Sequence, residues 1–311
     1  MKRFLLTGAT GFIGGHCLTR LAASGHTVHA VSRHAPPEDR QGVVWHHMDL
    51  LEPRAIDGLL SDIRPTHLMH MAWGLAPNDL YGSLHNFPWV AASLQLVQSF
   101  QQHGGQRCLV VGTCYEYDQQ YGYCSERLTP TIPSTTYGTC KNALRQLLDA
   151  FSRTVDLSLA WPRLFYLFGP GENQRRLVSS VIVALLRGEV AACSHGRQLR
   201  DYMYVEDAAD GLFALLESDL QGPMNLGLGV PIALRDLVRA VGERLGRPDL
   251  IRLGAVEARS IDVPLVVADT TRSTTELHWQ PRFSLDEGLD RTIAWWKRQL
   301  SNRETQSCHG S

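Results

Sequence analysis

The sequence predicts an α/β protein: a doubly wound parallel sheet with a smaller α/β lobe at its carboxyl end. Three observations carry that expectation. Short apolar runs alternate with amphipathic stretches through the first half of the 311-residue chain, the texture of parallel strands joined by crossover helices. A turn with three glycines, Thr7-Gly8-Ala9-Thr10-Gly11-Phe12-Ile13-Gly14, directly follows the first run. After about residue 165 the alternation gives way to a Gly169-Pro170-Gly171 turn and less regular pieces, as expected of a lobe built to another plan.

Taken in order, the expected strands are 3–6, 27–31, 43–46, 67–71, 108–111 and 157–161, and the expected helices 13–23, 55–62, 89–103 and 136–153. In the last helix Cys140, Leu144, Leu147, Leu148 and Phe151 recur at helical spacing and predict a buried stripe. Beyond the Gly-Pro-Gly turn a helix is expected over 177–186, then mixed pieces to Arg298. No clean linker is visible. The expectation is a nucleotide-binding domain over 1–165, joined by a returning segment near 201–227, and an interleaved lobe within 166–300. The polar tail, 301–311, is expected to be mobile. Of Trp295-Trp296 in the last helix, one should anchor the core and the other lie partly exposed.

Composition excludes several classes. Hydrophobic residues make 44% and charged residues 20%, which suits a packed globular chain. Thirty basic residues against 31 acidic ones give a net charge of −1, so no general basic field draws nucleic acid. The seven cysteines include no C-x-x-C pair, which argues against a zinc ribbon or a thioredoxin-type site and fits free thiols in a reducing cytoplasm. His46 and His47 are adjacent, so on a strand they point to opposite faces, and no metal is assigned. No apolar stretch approaches the roughly 18 residues of a membrane span. The basic, then apolar, amino terminus is cut by glycines and reads as a strand and turn rather than a signal peptide.

The glycine turn carries the first chemistry. Gly8 permits the tight turn, Gly11 lets backbone approach a pyrophosphate, and Gly14 lets helix and strand pack closely. The helix amino terminus offers N–H groups and a positive dipole end to phosphates. The turn, with Thr10, Phe12 and Ile13 in it, is expected to bind a dinucleotide as a Rossmann-type site rather than to serve only as a tight turn. The second strand ends in Ser32-Arg33-His34. An acidic residue there would favour NAD through the ribose 2′-hydroxyl. Arg33 can instead face a 2′-phosphate, so the expected cofactor is NADP, with NAD the less favoured. Asp49 and Leu50 should flank the adenine, and Met71, Ala72 and Trp73 the pyrophosphate and ribose.

Tyr137 and Lys141 lie four apart at the start of a predicted helix and share a face. Tyrosine, with a pKa near 10, is a poor acid-base group until a nearby ammonium stabilises its phenolate. Thr113 ends another predicted strand, where its hydroxyl could hold a carbonyl oxygen. Y-x-x-x-K occurs by chance in many helices; the glycine turn and the threonine strand end give it weight.

With these motifs on the page, the chain resembles an extended short-chain dehydrogenase/reductase of the nucleotide-sugar epimerase/dehydratase group. Thr7–Gly14 resembles the family's cofactor turn, Tyr137-Gly-Thr-Cys-Lys141 its catalytic Y-x-x-x-K, and Thr113 stands at its Ser/Thr. Arg163-Leu-Phe-Tyr-Leu-Phe-Gly-Pro170, Arg200-Asp-Tyr-Met-Tyr-Val-Glu-Asp207, Asn225-Leu-Gly-Leu-Gly229 and Leu277-His-Trp-Gln-Pro281 resemble later landmarks, in order, over nearly the whole chain. The resemblance implies NAD(P), a nucleoside-diphosphate sugar, and proton exchange by Tyr137 as hydride moves at the neighbouring carbon. It also implies a homodimer through a four-helix bundle made from 89–103 and 136–153 of each subunit.

Departures from the family narrow the expectation. Its 4,6-dehydratases carry Asp-Glu where this chain has Cys114-Tyr115, so water elimination is disfavoured. The 3,5-epimerase/reductase pattern places a His after the Gly-Pro turn, where Gly171 stands, and a Cys where Tyr115 aligns. What remains is NADPH-dependent reduction of a 4-keto-6-deoxyhexose, or 4-epimerisation with tightly held NAD. Ser32-Arg33 points to reduction, and Gly112-Thr113-Cys114-x-Glu116-Tyr117 resembles the 4-keto-6-deoxysugar reductases. A non-catalytic NADP sensor on the same fold is the third possibility. On the substrate side the resemblance implies Arg175 or Arg176, Arg200 and Arg259 at the diphosphate, with Tyr166 in place of the family's usual Asn. Trp73, Asn86, Cys114 and Tyr115 are expected around the sugar.

Overall fold

The computed structural model describes residues 2–33, 41–74, 81–258 and 262–308, apart from the side chains of 53, 54 and 303–308. The chain opens with β1 (Arg3–Thr7), α1 (Phe12–Ala22), β2 (Thr27–Ser32), β3 (Val43–His47), α2 (Pro53–Ile63), β4 (His67–His70), α3 (Asn86–Gln102) and β5 (Arg107–Val110). There follow the short β6 (Gly112–Thr113) and β7 (Tyr123–Cys124), then α4 (Thr136–Val155), β8 (Ser158–Leu164) and β9 (Tyr166–Phe168). The rest comprises α5 (Leu177–Leu186), β10 (Ala191–Cys193), β11 (Leu199–Tyr204), α6 (Val205–Glu217), β12 (Gly222–Leu226), β13 (Pro231–Ala233) and α7 (Leu234–Arg244). It ends with β14 (Ile251–Leu253), β15 (Leu265–Ala268), α8 (Thr271–Thr275) and α9 (Leu285–Cys308).

The main sheet runs β12-β8-β5-β4-β1-β2-β3 with every pairing parallel, and β6 extends the edge of β8. The reversal at β1/β4 is the doubly wound switch point, beyond whose carboxyl ends ligands bind. Alternate side chains of β1 serve opposite faces. Phe4 and Leu6 join a core with α1 and α6, whereas Leu5 joins the core beneath α2, α3 and α4. The second lobe has a mixed sheet, β13-β11-β15-β7, with β9 beside β11. Its core, around Phe168, Ile182, Leu237 and Trp296, packs α5, α7 and α9 together. The chain returns from β11 through α6 and β12 to the main sheet, so β11 ends where the two lobes meet.

Three expectations need correction. Leu147 is 48% exposed rather than part of the buried stripe, because Leu144 and Leu148 already fill the face toward the sheet. Residues 301–308 continue α9 as helix instead of forming a loose tail. The fourth strand stops at His70, one residue early, because the Met71 and Ala72 N–H groups turn in to the Thr7 hydroxyl. Trp296 is buried and Trp295 half-buried, as expected. Among the described residues no helix is long and apolar enough to cross a membrane.

Candidate active site

The glycine turn is sterically demanded. Gly8 has φ +73°, and a Cβ there would lie 2.9 Å from the Ala72 nitrogen. A Cβ on Gly14 would lie 1.9 Å from the Gly8 carbonyl oxygen. Gly11 donates its N–H to that oxygen at 3.0 Å and enters α1 in extended conformation. The first turn of α1 has neither a side-chain cap nor an acidic residue, which leaves N–H groups and the dipole's positive end for an anion. Phe12 and Ile13 open the helix, half-buried. A cavity of about 260 Å³ runs from Thr10, Gly11 and Phe12 to Pro170, Gly171 and Trp295. The His16 Nε2 donates to the Pro170 carbonyl at 2.9 Å, tying the turn of one lobe to that of the other. These features fit a dinucleotide diphosphate. A larger hollow, about 490 Å³, sits at the opposite ends of β2 and β3 around His26 and Gly42, away from this chemistry.

Ser32 is buried, its hydroxyl 3.4 Å from that of Thr10, while Arg33 is exposed just past β2. The His47 ring donates to the Arg33 carbonyl at 2.8 Å, and His46 turns away to His29 at 2.9 Å. His34 lies outside the described residues. Asp49 accepts the Leu51 N–H at 3.0 Å and Leu50 is buried, which shapes the loop after β3.

Beneath Met71-Ala72 runs a buried chain. The Thr7 hydroxyl accepts both N–H groups at 3.2 Å, so its proton is left for the His70 Nδ1 at 2.7 Å. His70 is therefore the Nε2–H tautomer and donates to Ser93 at 2.8 Å. Burial holds this ring neutral, down to about 3.

Thr113 ends β6 and begins a single helical turn that it caps reciprocally with Glu116. Its N–H donates to the Glu116 carboxylate at 2.8 Å, and the same carboxylate accepts from Trp161 Nε1 and Arg163 Nε. Tyr137 lies in the first turn of α4, whose cap Thr135 accepts the Gly138 N–H. A Cβ on Gly138 would meet the Tyr115 carbonyl at 2.1 Å, so only glycine lets α4 approach the Thr113 turn so closely. The Thr113 hydroxyl lies beside the Tyr137 phenol and favours its ionised form.

Burial pushes the Tyr137 phenol well above its ordinary value, opposed by the Thr113 hydroxyl. Lys141 is also buried. Its ammonium donates to the Val111 carbonyl at 3.0 Å, lies 3.8 Å from the Trp73 ring centre, and is pushed down to about 7 by burial against the pull of Glu116. The expected lowering of the tyrosine by the lysine is therefore not what dominates here: desolvation does, and the phenol stays protonated at neutral pH.

On the other side stands a wall of phenols. Tyr115 donates to the Tyr81 hydroxyl at 3.0 Å and lies 3.4 Å from that of Tyr166. Its ring is 6.2 Å from that of Tyr137. Tyr81 accepts the Tyr137 backbone N–H at 3.0 Å and also bonds Arg176. Arg200 lies 5.6 Å from the Tyr166 ring centre, buried, with Leu199 O at 2.9 Å and Asp262 at 3.5 Å.

Two residues expected around the sugar are buried in the structure. Cys114 is buried in a separate core with Tyr117, Cys124 and Phe165, since the capped turn points its side chain inward. Asn86 is buried, its amide oxygen accepting from Trp73 Nε1 and its amide nitrogen donating to Ser83 O. Arg259 lies outside the described residues. Sequence reasoning missed Tyr81, which no motif marks. It also passed over Glu116 as a carboxylate buried beneath the site, although the Thr113-x-x-Glu116 spacing of a capping box was there to be read.

The sequence model of the family described as "NAD dependent epimerase/dehydratase family" matches residues 4–227. UDP-glucuronic acid decarboxylase 1 of Xenopus tropicalis is 26% identical over 97% of this chain and 74% of its own. MoeE5, solved in complex with UDP-glucose and NAD, superposes with a TM-score of 0.84 and 31% identity, over 96% of this chain and 99% of that one. The UDP-glucose 4-epimerase of Thermus thermophilus, solved with NAD, gives a TM-score of 0.86 at 23% identity, over 95% and 99%, a likeness of fold.

Proposed function

Because this chain belongs to the NAD dependent epimerase/dehydratase family, whose members are oxidoreductase-type enzymes using a nicotinamide cofactor, we propose that it reduces the 4-keto group of a nucleoside-diphosphate 4-keto-6-deoxyhexose with NADPH. The observation that carries this reading is the half-buried Tyr137 phenol, protonated and beside Thr113, one helical turn from a buried lysine. A reductase needs a proton donor at the carbonyl oxygen, and a protonated phenol there is one.

The cofactor, when bound, supplies the hydride. The turn Gly8–Gly14 and the first N–H groups of α1 hold its diphosphate, Arg33 faces the 2′-phosphate, and Ser32, Asp49 and Leu50 shape the adenosine end. Met71, Ala72 and Trp73 line the nicotinamide side. Thr113 and Tyr137 hydrogen-bond the carbonyl oxygen. As the carbon is reduced, negative charge develops on that oxygen and the Tyr137 proton moves to it. The phenolate left behind is stabilised by the Lys141 ammonium and regains a proton from water. Arg176 and Arg200 answer the substrate diphosphate. The rings of Tyr81, Tyr115 and Tyr166 offer an apolar face to a 6-methyl group, while their hydroxyls serve the ring hydroxyls.

A homodimer through α3 and α4 fits the exposed Phe87 and Leu147 on those helices. Free, buried thiols at Cys17, Cys108, Cys114, Cys124, Cys140 and Cys193 suit a reducing cytoplasm. A second reading, 4-epimerisation with retained NAD, is favoured by the 31% identity to MoeE5, solved with UDP-glucose and NAD. Isotope transfer separates the two. With NADPH deuterated at the transferring position, reduction puts one deuterium on C4 of the product sugar for each NADPH consumed. Product free of deuterium, with no NADPH consumed, contradicts reduction.

A further inference from the structure

The indole of Trp73 bears on Lys141 from below. Its N–H donates to Asn86 Oδ1 at 2.8 Å, and that amide is itself buried and held by Ser83 O. Trp89 lies 6.2 Å away, ring to ring, and Gly74 makes room for it: a Cβ there would fall 2.3 Å from Trp89 Nε1. The indole is thus fixed in one orientation, with its face toward α4 and its ring 6.3 Å from that of Tyr137. Lys141 Nζ sits 3.8 Å from the Trp73 ring centre. An ammonium has three N–H donors. One is spent on Val111 O at 3.0 Å, and the aromatic face meets the charge where water would otherwise stand.

We propose that Trp73 is a positioning residue: its face, locked by Asn86, holds the Lys141 ammonium at a fixed place beside Tyr137 and takes the place of the lysine's hydration shell. This rests on the reading of Lys141 as part of the reaction. The charged and titratable groups facing the ammonium are few. Glu116 approaches from the Thr113 turn and favours the cation, His70 from the end of β4 is held neutral, and Tyr137 lies on α4 itself. The aromatic face therefore supplies much of what keeps a desolvated lysine charged. Burial has already brought it down to about 7, so a modest loss of stabilisation changes its charge at working pH.

The chain has three lysines, Lys2, Lys141 and Lys297, so protein labelled with ¹³C at the lysine ε-carbon gives a spectrum simple enough to titrate residue by residue. Lys141→Arg identifies the Lys141 signal. That signal should be shifted upfield by the indole ring current and titrate near neutral pH, apart from the other two. Trp73→Phe, which keeps an aromatic face, should retain both features. Trp73→Leu, which keeps apolar bulk without the face, should lose the ring-current shift and titrate about one pH unit lower. In a reductase that needs the ammonium, the alkaline limb of kcat should move down by the same amount, while Trp73→Phe rescues it. A Lys141 signal that titrates alike in wild type and Trp73→Leu overturns the pairing, whatever the enzyme reduces. A signal that moves while the kcat limb stays in place overturns the role of Lys141 in the reaction.

Discussion

Glu116 holds Thr113 and Arg163 at once: one carboxylate oxygen accepts the Thr113 N–H at 2.8 Å and the other takes the Arg163 Nε at 2.8 Å. Glu116 and Arg163 are both buried, at 0% and 1% exposure. The strand end that presents the Thr113 hydroxyl to Tyr137 therefore rests on a buried ion pair. Removing one partner of such a pair leaves an uncompensated charge and typically costs about 3–5 kcal/mol. Glu116→Ala should lose stability of that order in denaturant unfolding. Glu116→Gln keeps the shape and the Thr113 contact, and should lose less while still depressing turnover. A fully stable Glu116→Ala would mean that the pair does not support the turn.

Tyr137→Phe removes the proton donor and little else, since the ring stays packed among Trp73, Tyr81 and Tyr115. Turnover should fall by at least about 100-fold, the lower end for a lost general acid, with the thermal midpoint little changed. Steady-state kinetics beside a melting curve would show it. Unaltered turnover removes Tyr137 from the reaction.

Arg33 is exposed next to a buried, uncharged Ser32. A charge-assisted contact to a 2′-phosphate is worth about 1.5–3 kcal/mol, so Arg33→Ala should raise KM for NADPH roughly 10- to 100-fold and leave KM for NADH nearly unchanged. Equal effects on both cofactors would take Arg33 away from the 2′-phosphate.

Glu172 accepts a hydrogen bond from Ser179 at 2.7 Å, and burial raises its carboxyl from its ordinary 4.5 to about 7. The folded protein thus binds this proton more tightly than the unfolded chain does. Linkage then makes the group's contribution to stability fall as pH rises from about 4.5 to about 7, by at most about 3 kcal/mol. Glu172→Gln should flatten that part of the stability curve, so that wild type and variant diverge as pH rises, with the variant the more stable at pH 8. Parallel curves would show that Glu172 titrates at its ordinary value.

Much of this was legible in the sequence because backbone demands leave residue-level marks. Gly8 and Gly14 sit where a Cβ collides, and such positions read directly as glycine. The parallel strands announced themselves because apolar runs such as 4–6 are buried on both faces. The substrate side was less legible. Tyr81 reaches Tyr137 through a backbone carbonyl and Tyr115 through a hydroxyl, contacts between segments far apart in sequence that leave no spacing behind. Cys114 and Asn86 were placed in the pocket by position along the chain, yet the capped turn sends the Cys114 side chain into the core. The state of Lys141 was also hidden, because it depends on how much water the fold removes rather than on its four-residue distance from Tyr137.

The central claim is tested most directly by following cofactor absorbance as purified protein is mixed with NADPH, then NADH, and a panel of dTDP-, GDP- and CDP-4-keto-6-deoxyhexoses. NADPH should be consumed with one of these sugars, faster than NADH, and Tyr137→Phe should abolish the consumption. No consumption of either cofactor with any of them, by protein that carries NAD through purification, would contradict reduction and leave 4-epimerisation as the activity.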